Sequence, residues 1–335
     1  MTVGVVANPA SGRDIRRLVA RASVFPTAEK ANMVQRLLTA FGTLGVERAM
    51  VSTDLGGISA NVLRAVDRSR DNQWPKVEFC TDDPLTGTVA DTANAVRRMV
   101  TAGARVIVCL GGDGTARVAA AACGDVPLLA LSTGTNNTFP QLREATVAGL
   151  AAALVATGQV DATTRATALE VTARGRTELA LVDVCASTSR HVGARALWDP
   201  AGLTELFCTF AEPDAIGLSS VAGLLAPSPR TTPDGVAVRL APPERARMVV
   251  NAPIAPGLVR PVGVDEIRPL HPGERVVLRL RDGVIAVDGE RELELAGHEA
   301  TVTLRADGPR CVDVAAVLAE AARRELLSTR KESQR

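Results

Sequence analysis

Residues 106–110, Val-Ile-Val-Cys-Leu, are apolar without interruption, and Gly111-Gly112-Asp113-Gly114-Thr115 follows them directly. A strand that is apolar at every position is covered on both faces, the signature of a parallel sheet flanked by helices. Further strand-like runs occur at 3–7, 45–52, 76–80 and 126–132. Helix-like segments lie between them at 28–43 and 88–103, the latter with Val89, Ala93, Val96 and Val100 near helical spacing. Thr88 with Asp91 predicts a capping pair at its start, and Gly103 a stop. The pattern predicts an α/β domain over residues 1–158, a parallel sheet covered by helices on both sides and closed by the alanine-rich helix 145–158. In such sheets ligands sit beyond the carboxyl ends of the strands. The loops after Ala7, Leu110 and Leu131 are therefore expected to share one rim.

The composition changes after residue 158. Short β-rich runs broken by Gly and Pro continue to about residue 306 and predict a mostly antiparallel β domain over 159–306. Arg281-Asp282-Gly283, between two such runs, reads as a hairpin turn. A helix within 307–327 and a disordered polar tail, 328–335, complete the expectation. Two domains also suit a chain of 335 residues, since one core seldom grows that far.

Charge narrows the partners. With 38 basic against 37 acidic residues, the net charge of +1 gives no pull toward nucleic acid or an anionic membrane. Aromatic residues are 2 % of the chain, and tyrosine is absent, so base-stacking platforms are not expected. No apolar run is long enough to span a bilayer, and the first strand leaves no room for a signal peptide, so a cytoplasmic protein is expected. The six cysteines show no CxxC spacing, and Cys80, Cys109 and Cys185 lie in apolar runs that suit reduced core thiols. Three scattered histidines do not make a zinc site.

The rim loops carry the chemistry. Gly111, Gly112 and Gly114 permit positive φ and leave room for an anion, which a helix starting near Ala116 would attract through its N-terminus. Asp113 needs a further reason. A carboxylate beside a phosphate is repulsive unless it holds Mg²⁺ or takes a proton from an attacking hydroxyl, and phosphoryl transfer uses both. In the first loop, Asn8, Ser11, Gly12 and the backbone amides are candidate phosphate donors, with Arg13 as counter-charge. In the third, Gly134 gives room and Thr135, Asn136 and Asn137 offer neutral donors. No Walker or dinucleotide glycine motif is present. None of the three lysines, Lys30, Lys76 and Lys331, is near these loops in the sequence, so a P-loop NTPase is excluded.

GGDGT after a buried strand, with an N-terminal NPxSG, resembles the superfamily of NAD, diacylglycerol and sphingosine kinases. The likeness extends over residues 90–117, and "PIAPGLVRPV" and "VIAVDGEREL" are similar to the late part of NAD kinases. Together with "GTNNTFP", the pattern most resembles the acetoin-catabolism X protein group of the ATP–NAD kinase-like branch. The resemblance implies a Rossmann-like, doubly wound first domain, a β-sandwich as the second domain and a homo-oligomer. It implies Asp113 as the catalytic carboxylate, with Gly111, Gly112, Gly114 and Thr115 holding phosphate. ATP or polyphosphate with Mg²⁺ would be the donor, and NAD or a related nucleotide the acceptor. On the acceptor side it points to Asp183, to Ser219 and Ser220 of "GLSSVAG", and to Asp288 and Glu290 of "DGE". For these last two a plain Asp-Gly hairpin is the alternative. His191, among Ser187, Thr188, Ser189 and Arg190, either lines the cleft or is an exposed loop histidine. Val182 stands where NAD kinases carry an amide-bearing Asn, and "GLSSVAG" lacks their tyrosine. A non-catalytic nucleotide-binding regulator and a lipid kinase are the other two readings.

Overall fold

The computed structural model describes residues 1–12, 16–23, 25–68, 73–81, 84–189 and 195–328. Arg13, His191 and nearly all of the tail expected to be disordered lie outside them.

The first half alternates as its apolar pattern requires. In chain order it comprises β1 (Thr2–Ala7), α1 (Arg16–Val19), α2 (Thr27–Thr43), β2 (Arg48–Ser52), α3 (Ile58–Arg68), β3 (Lys76–Cys80), α4 (Val89–Thr101), β4 (Ala104–Gly111), α5 (Asp113–Cys123), β5 (Leu128–Ser132) and α6 (Ala145–Ala156). Strands β3-β2-β1-β4-β5 lie side by side, and their successive pairs are parallel. Val3, Val5, Val106, Val108 and Leu110 pack on one face with α2, α3 and α6. Val6, Met50, Ile107 and Cys109 pack on the other with α4 and α5. Burial on both faces explains why β4 reads as an unbroken apolar run.

The second half supplies β6 (Thr163–Arg165), β7 (Ala168–Ala173), β8 (Arg176–Ala180), β9 (Asp183–Ser187), β10 (Leu203–Cys208), α7 (Ser219–Gly223), β11 (Gly235–Ala241), β12 (Met248–Ala255), β13 (Leu258–Leu270), β14 (Arg275–Val277), β15 (Val284–Val287), β16 (Glu290–Glu294), β17 (Ala300–Arg305), β18 (Arg310–Val312) and α8 (Val314–Arg323). A seven-stranded sheet, β12-β13-β11-β10-β9-β15-β16, stacks on a four-stranded one, β14-β17-β7-β8, with Val184, Phe207, Ile285, Leu169 and Val302 between them. The chain then returns, because β18 pairs parallel to β5, β6 pairs with β18, and α8 packs with α6.

One local expectation changes. Arg281-Asp282-Gly283 is not a hairpin: β14 pairs with β17, whereas β15 pairs with β9 and β16, so the segment carries the chain from one sheet to the other. The hairpin is Asp288-Gly289, which joins β15 to β16 with φ of 50° and 73°, the two positive values that a tight primed turn needs. At the start of α4, Thr88 is the N-cap residue as expected, its side chain accepting from the Ala90 N–H, and Asp91 reaches back to the backbone of Thr86, Gly87 and Thr88. No helix among the described residues is long and apolar enough to cross a membrane.

Candidate active site

A cleft of about 800 Å³ opens at the carboxyl ends of β1, β4 and β5. All three rim loops line it: Asn8, Ser11 and Gly12 from the first, Gly112 to Thr115 from the second, and Gly134 to Asn137 from the third. The floor of the second loop is the helix itself. Gly112, extended at φ −101° and ψ −173°, is the residue before α5, so Asp113 begins the first turn and the expected start at Ala116 is three residues late. The unbonded N–H groups of that turn and the helix dipole favour an anion in front of it.

The glycines are needed here for space and not for positive φ. Gly111, Gly112 and Gly114 are absent from the positive-φ residues. A Cβ on Gly111 would lie 2.4 Å from Thr115 Cβ, and one on Gly112 would lie 2.9 Å from Asn137 Oδ1. Only glycine lets the strand end, the helix and the third loop meet this closely.

The three loops are braced to one another. Asn8 Nδ2 donates to Thr115 Oγ1 at 2.8 Å, and Ser11 Oγ lies 2.9 Å from Thr133 Oγ1. Asp113 Oδ1 accepts from the Thr138 N–H at 3.1 Å and the Phe139 N–H at 2.8 Å. Asn137 Nδ2 donates to Ser132 Oγ at 2.7 Å. Asn8, Ser11, Thr115 and Asn137 thus hold the rim together. Asn136 is buried, with its Oδ1 lacking a hydrogen-bond partner at the cleft wall.

The β-sandwich closes the opposite wall with Arg195, Ala196, Asp288 and Glu290. Asp288 forms the hairpin and also lines the cleft. Its carboxylate is buried and accepts from the N–H groups of Leu181, Val182 and Asp183 at 2.8–3.3 Å. Burial pushes its pKa up to about 6, against the opposing pull of Arg117 and those three amides. Glu290 lies beside Gly114, whose Cβ would meet its Oε1 at 3.6 Å. Asp183 lines a pocket of about 20 Å³ shared with Asp113, Asn136 and Asp288. Ser219 and Ser220 are buried in α7 and are not among the residues lining the cleft; Ser220 Oγ donates to the Gly217 carbonyl at 2.6 Å.

Charged residues that the motifs did not reveal complete the site. Arg117, one helical turn beyond Asp113, is buried and spans the two halves: Nη2 meets Glu292 Oε1 at 2.7 Å, Nη1 meets Glu178 at 3.6 Å and Nε meets Asp288 at 3.6 Å. Arg195 shares Glu292 at 2.7 Å. Arg230, stacked on Phe210 and paired with Glu212 at 2.6 Å, donates to the Thr138 carbonyl at 3.1 Å. Lys30, distant in sequence, lies behind the first loop with Nζ on the carbonyls of Asn8, Pro9 and Ser11. The expectation that no lysine is near the loops is therefore wrong in space, because the side chain reaches the loop from α2. Lone basic residues without a spacing motif gave no signal. Only the sequence position of Arg117, at i+4 from Asp113, could have pointed to it.

The glycine-rich rim on a doubly wound sheet, faced by a β-sandwich, defines the NAD kinase-like class of two-domain proteins. The ATP-NAD kinase N-terminal domain family matches residues 3–160, and the acetoin catabolism protein X C-terminal domain family matches residues 167–307. Acetoin catabolism protein X of Cupriavidus necator is 42 % identical over 336 residues, covering 97 % of this chain and 93 % of that protein. The chain belongs to the acetoin catabolism protein X family.

Proposed function

We propose that the cleft binds ATP with Mg²⁺ and transfers the γ-phosphoryl group to a hydroxyl of NAD or a related small acceptor. The observation that carries this reading is the convergence at one cleft of the α5 N-terminus, two further amide-bearing loops and the Asp113 carboxylate. The cleft volume of about 800 Å³ suits a nucleotide, since ligand pockets run from about 300 to 1,000 Å³. Phosphate would lie on the N–H groups of the first turn of α5. Asp113, fixed by the Thr138 and Phe139 amides, would accept the acceptor's proton as its oxygen attacks phosphorus, and ADP would leave.

Mg²⁺ suits the donors present. Asp113 and the buried, unpartnered Asn136 Oδ1 are hard oxygen donors at the same wall, and Mg²⁺ characteristically takes one or two carboxylates together with substrate phosphates. When bound, it would neutralise charge on the β- and γ-phosphates.

One observation favours a second reading. The Asp113 carboxylate braces two loops, and that function would persist in a nucleotide-binding regulator without turnover. Incubation with Mg-ATP and a panel of NAD, NADH, acetoin and related diols, diacylglycerol and no acceptor, followed by ³¹P NMR, separates the two. The kinase reading predicts ADP and a phosphorylated acceptor, with NADP the product from NAD. Nucleotide binding without any product would leave the regulator.

A further inference from the structure

Lys30 is 1 % exposed, and its Nζ donates to the carbonyl oxygens of Asn8 at 3.1 Å, Pro9 at 3.3 Å and Ser11 at 2.9 Å. An ammonium has three donors, so one lysine can hold several turned-in carbonyls. In a planar trans peptide the C=O and the following N–H point in opposite directions. Turning the Ser11 carbonyl onto Lys30 therefore turns the Gly12 N–H away from it, and the Pro9 carbonyl does the same for the Ala10 N–H. Ala10, Ser11 and Gly12 line the cleft and Lys30 is not among its lining residues. Asn8 Oδ1 takes the Ala10 N–H at 2.8 Å, which leaves the Gly12 N–H as the donor presented to a ligand. Gly12 sits at φ 81°, a left-handed conformation open to glycine and common in anion-binding backbone concavities.

The same device appears across the cleft. Arg230 Nη2 holds the Thr138 carbonyl at 3.1 Å, and the N–H of that same peptide, on Phe139, points to Asp113 Oδ1 at 2.8 Å. A cation behind the peptide orients and polarises the N–H in front of it.

Building on the phosphate reading of the cleft, we propose that Lys30 is a positioning residue for phosphate recognition. It sets the peptide planes of the first loop so that the Gly12 N–H faces a phosphate oxygen of the bound nucleotide, and it acts through the backbone without touching the ligand.

The test needs no turnover. Native protein labelled with ¹⁵N-glycine is titrated with inorganic pyrophosphate and with ADP, and ADP affinity is measured by calorimetry for native protein and Lys30→Met. The expected result is a saturable downfield shift of the Gly12 amide proton and at least a tenfold loss of ADP affinity in Lys30→Met, with Lys30→Arg recovering part of it. Native protein that binds neither probe overturns both the phosphate reading and the inference. Native binding with an unmoved Gly12 amide, or with Lys30→Met within twofold of native, overturns the role of Lys30 and leaves the phosphate reading standing. Should Lys30→Met fail to fold, the Gly12 shift in native protein decides.

Discussion

The two walls of the cleft are built by different physics. The α/β wall is a set of backbone loops held by neutral side chains on each other, Asn8 to Thr115 and Ser11 to Thr133, with glycines clearing the space between them. The sandwich wall is held by charge: Arg117 meets Glu292, Glu178 and Asp288, and Arg195 doubles the bond to Glu292. Cations stand behind these loops, Lys30 on the first and Arg230 on the third, and each holds carbonyls so that amides turn the other way. A buried ionic joint is less forgiving, since removing one partner strands the other's charge away from water. The loop-built wall is thus distinct from the ionic joint between the two halves of the chain.

That contrast can be broken at three points. Arg117→Met strands the buried Asp288 and the nearly buried Glu292, and should cost about 3–5 kcal/mol of unfolding free energy, measured in urea. A cost below 1 kcal/mol would mean that the ionic joint does not hold the domains. On the other wall, Gly111→Ala drives a Cβ to 2.4 Å from Thr115 Cβ and should cost about 1–3 kcal/mol while displacing the α5 N-terminus. A stability unchanged from native would show that the close approach is dispensable.

The smallest effect sharpens the comparison through pH. Asp288 titrates near 6 when folded, whereas an aspartate in an unfolded chain titrates at about 3.9. Between those values the folded state binds more protons, so this group's contribution to stability falls as pH rises from about 4 to 6 and is level above. The stability difference between native protein and Asp288→Asn should therefore shrink across that window. A difference that grows with pH would mean that the buried carboxylate is ionised throughout.

What could be read in the sequence follows the same division. The buried parallel strands, GGDGT and the polar loops were legible because each is local: an apolar run, a glycine spacing, a turn. The pairing of Asp288-Gly289 as the real hairpin was ambiguous, because Arg281-Asp282-Gly283 offers the same turn residues a few positions earlier and only sheet pairing distinguishes them. The return of β18 to the first sheet rests on three residues, too short for any periodicity to register. Lys30, Arg117 and Arg230 escaped for a different reason. Each acts across long stretches of chain, on carbonyls or carboxylates that any exposed basic residue could equally have met.

The proposed phosphoryl transfer gives Asp113 a chemical role beside its bracing one. Acceptor-dependent ADP formation by native protein and Asp113→Asn, with nucleotide affinity determined on both, separates the two roles. Asparagine keeps an oxygen for the Thr138 and Phe139 amides but cannot take the acceptor's proton. Turnover should fall by about 10²–10⁴-fold, the usual contribution of a general base, while nucleotide affinity stays within a few-fold. Undiminished turnover in a folded variant would contradict the account and leave Asp113 as a brace between two loops.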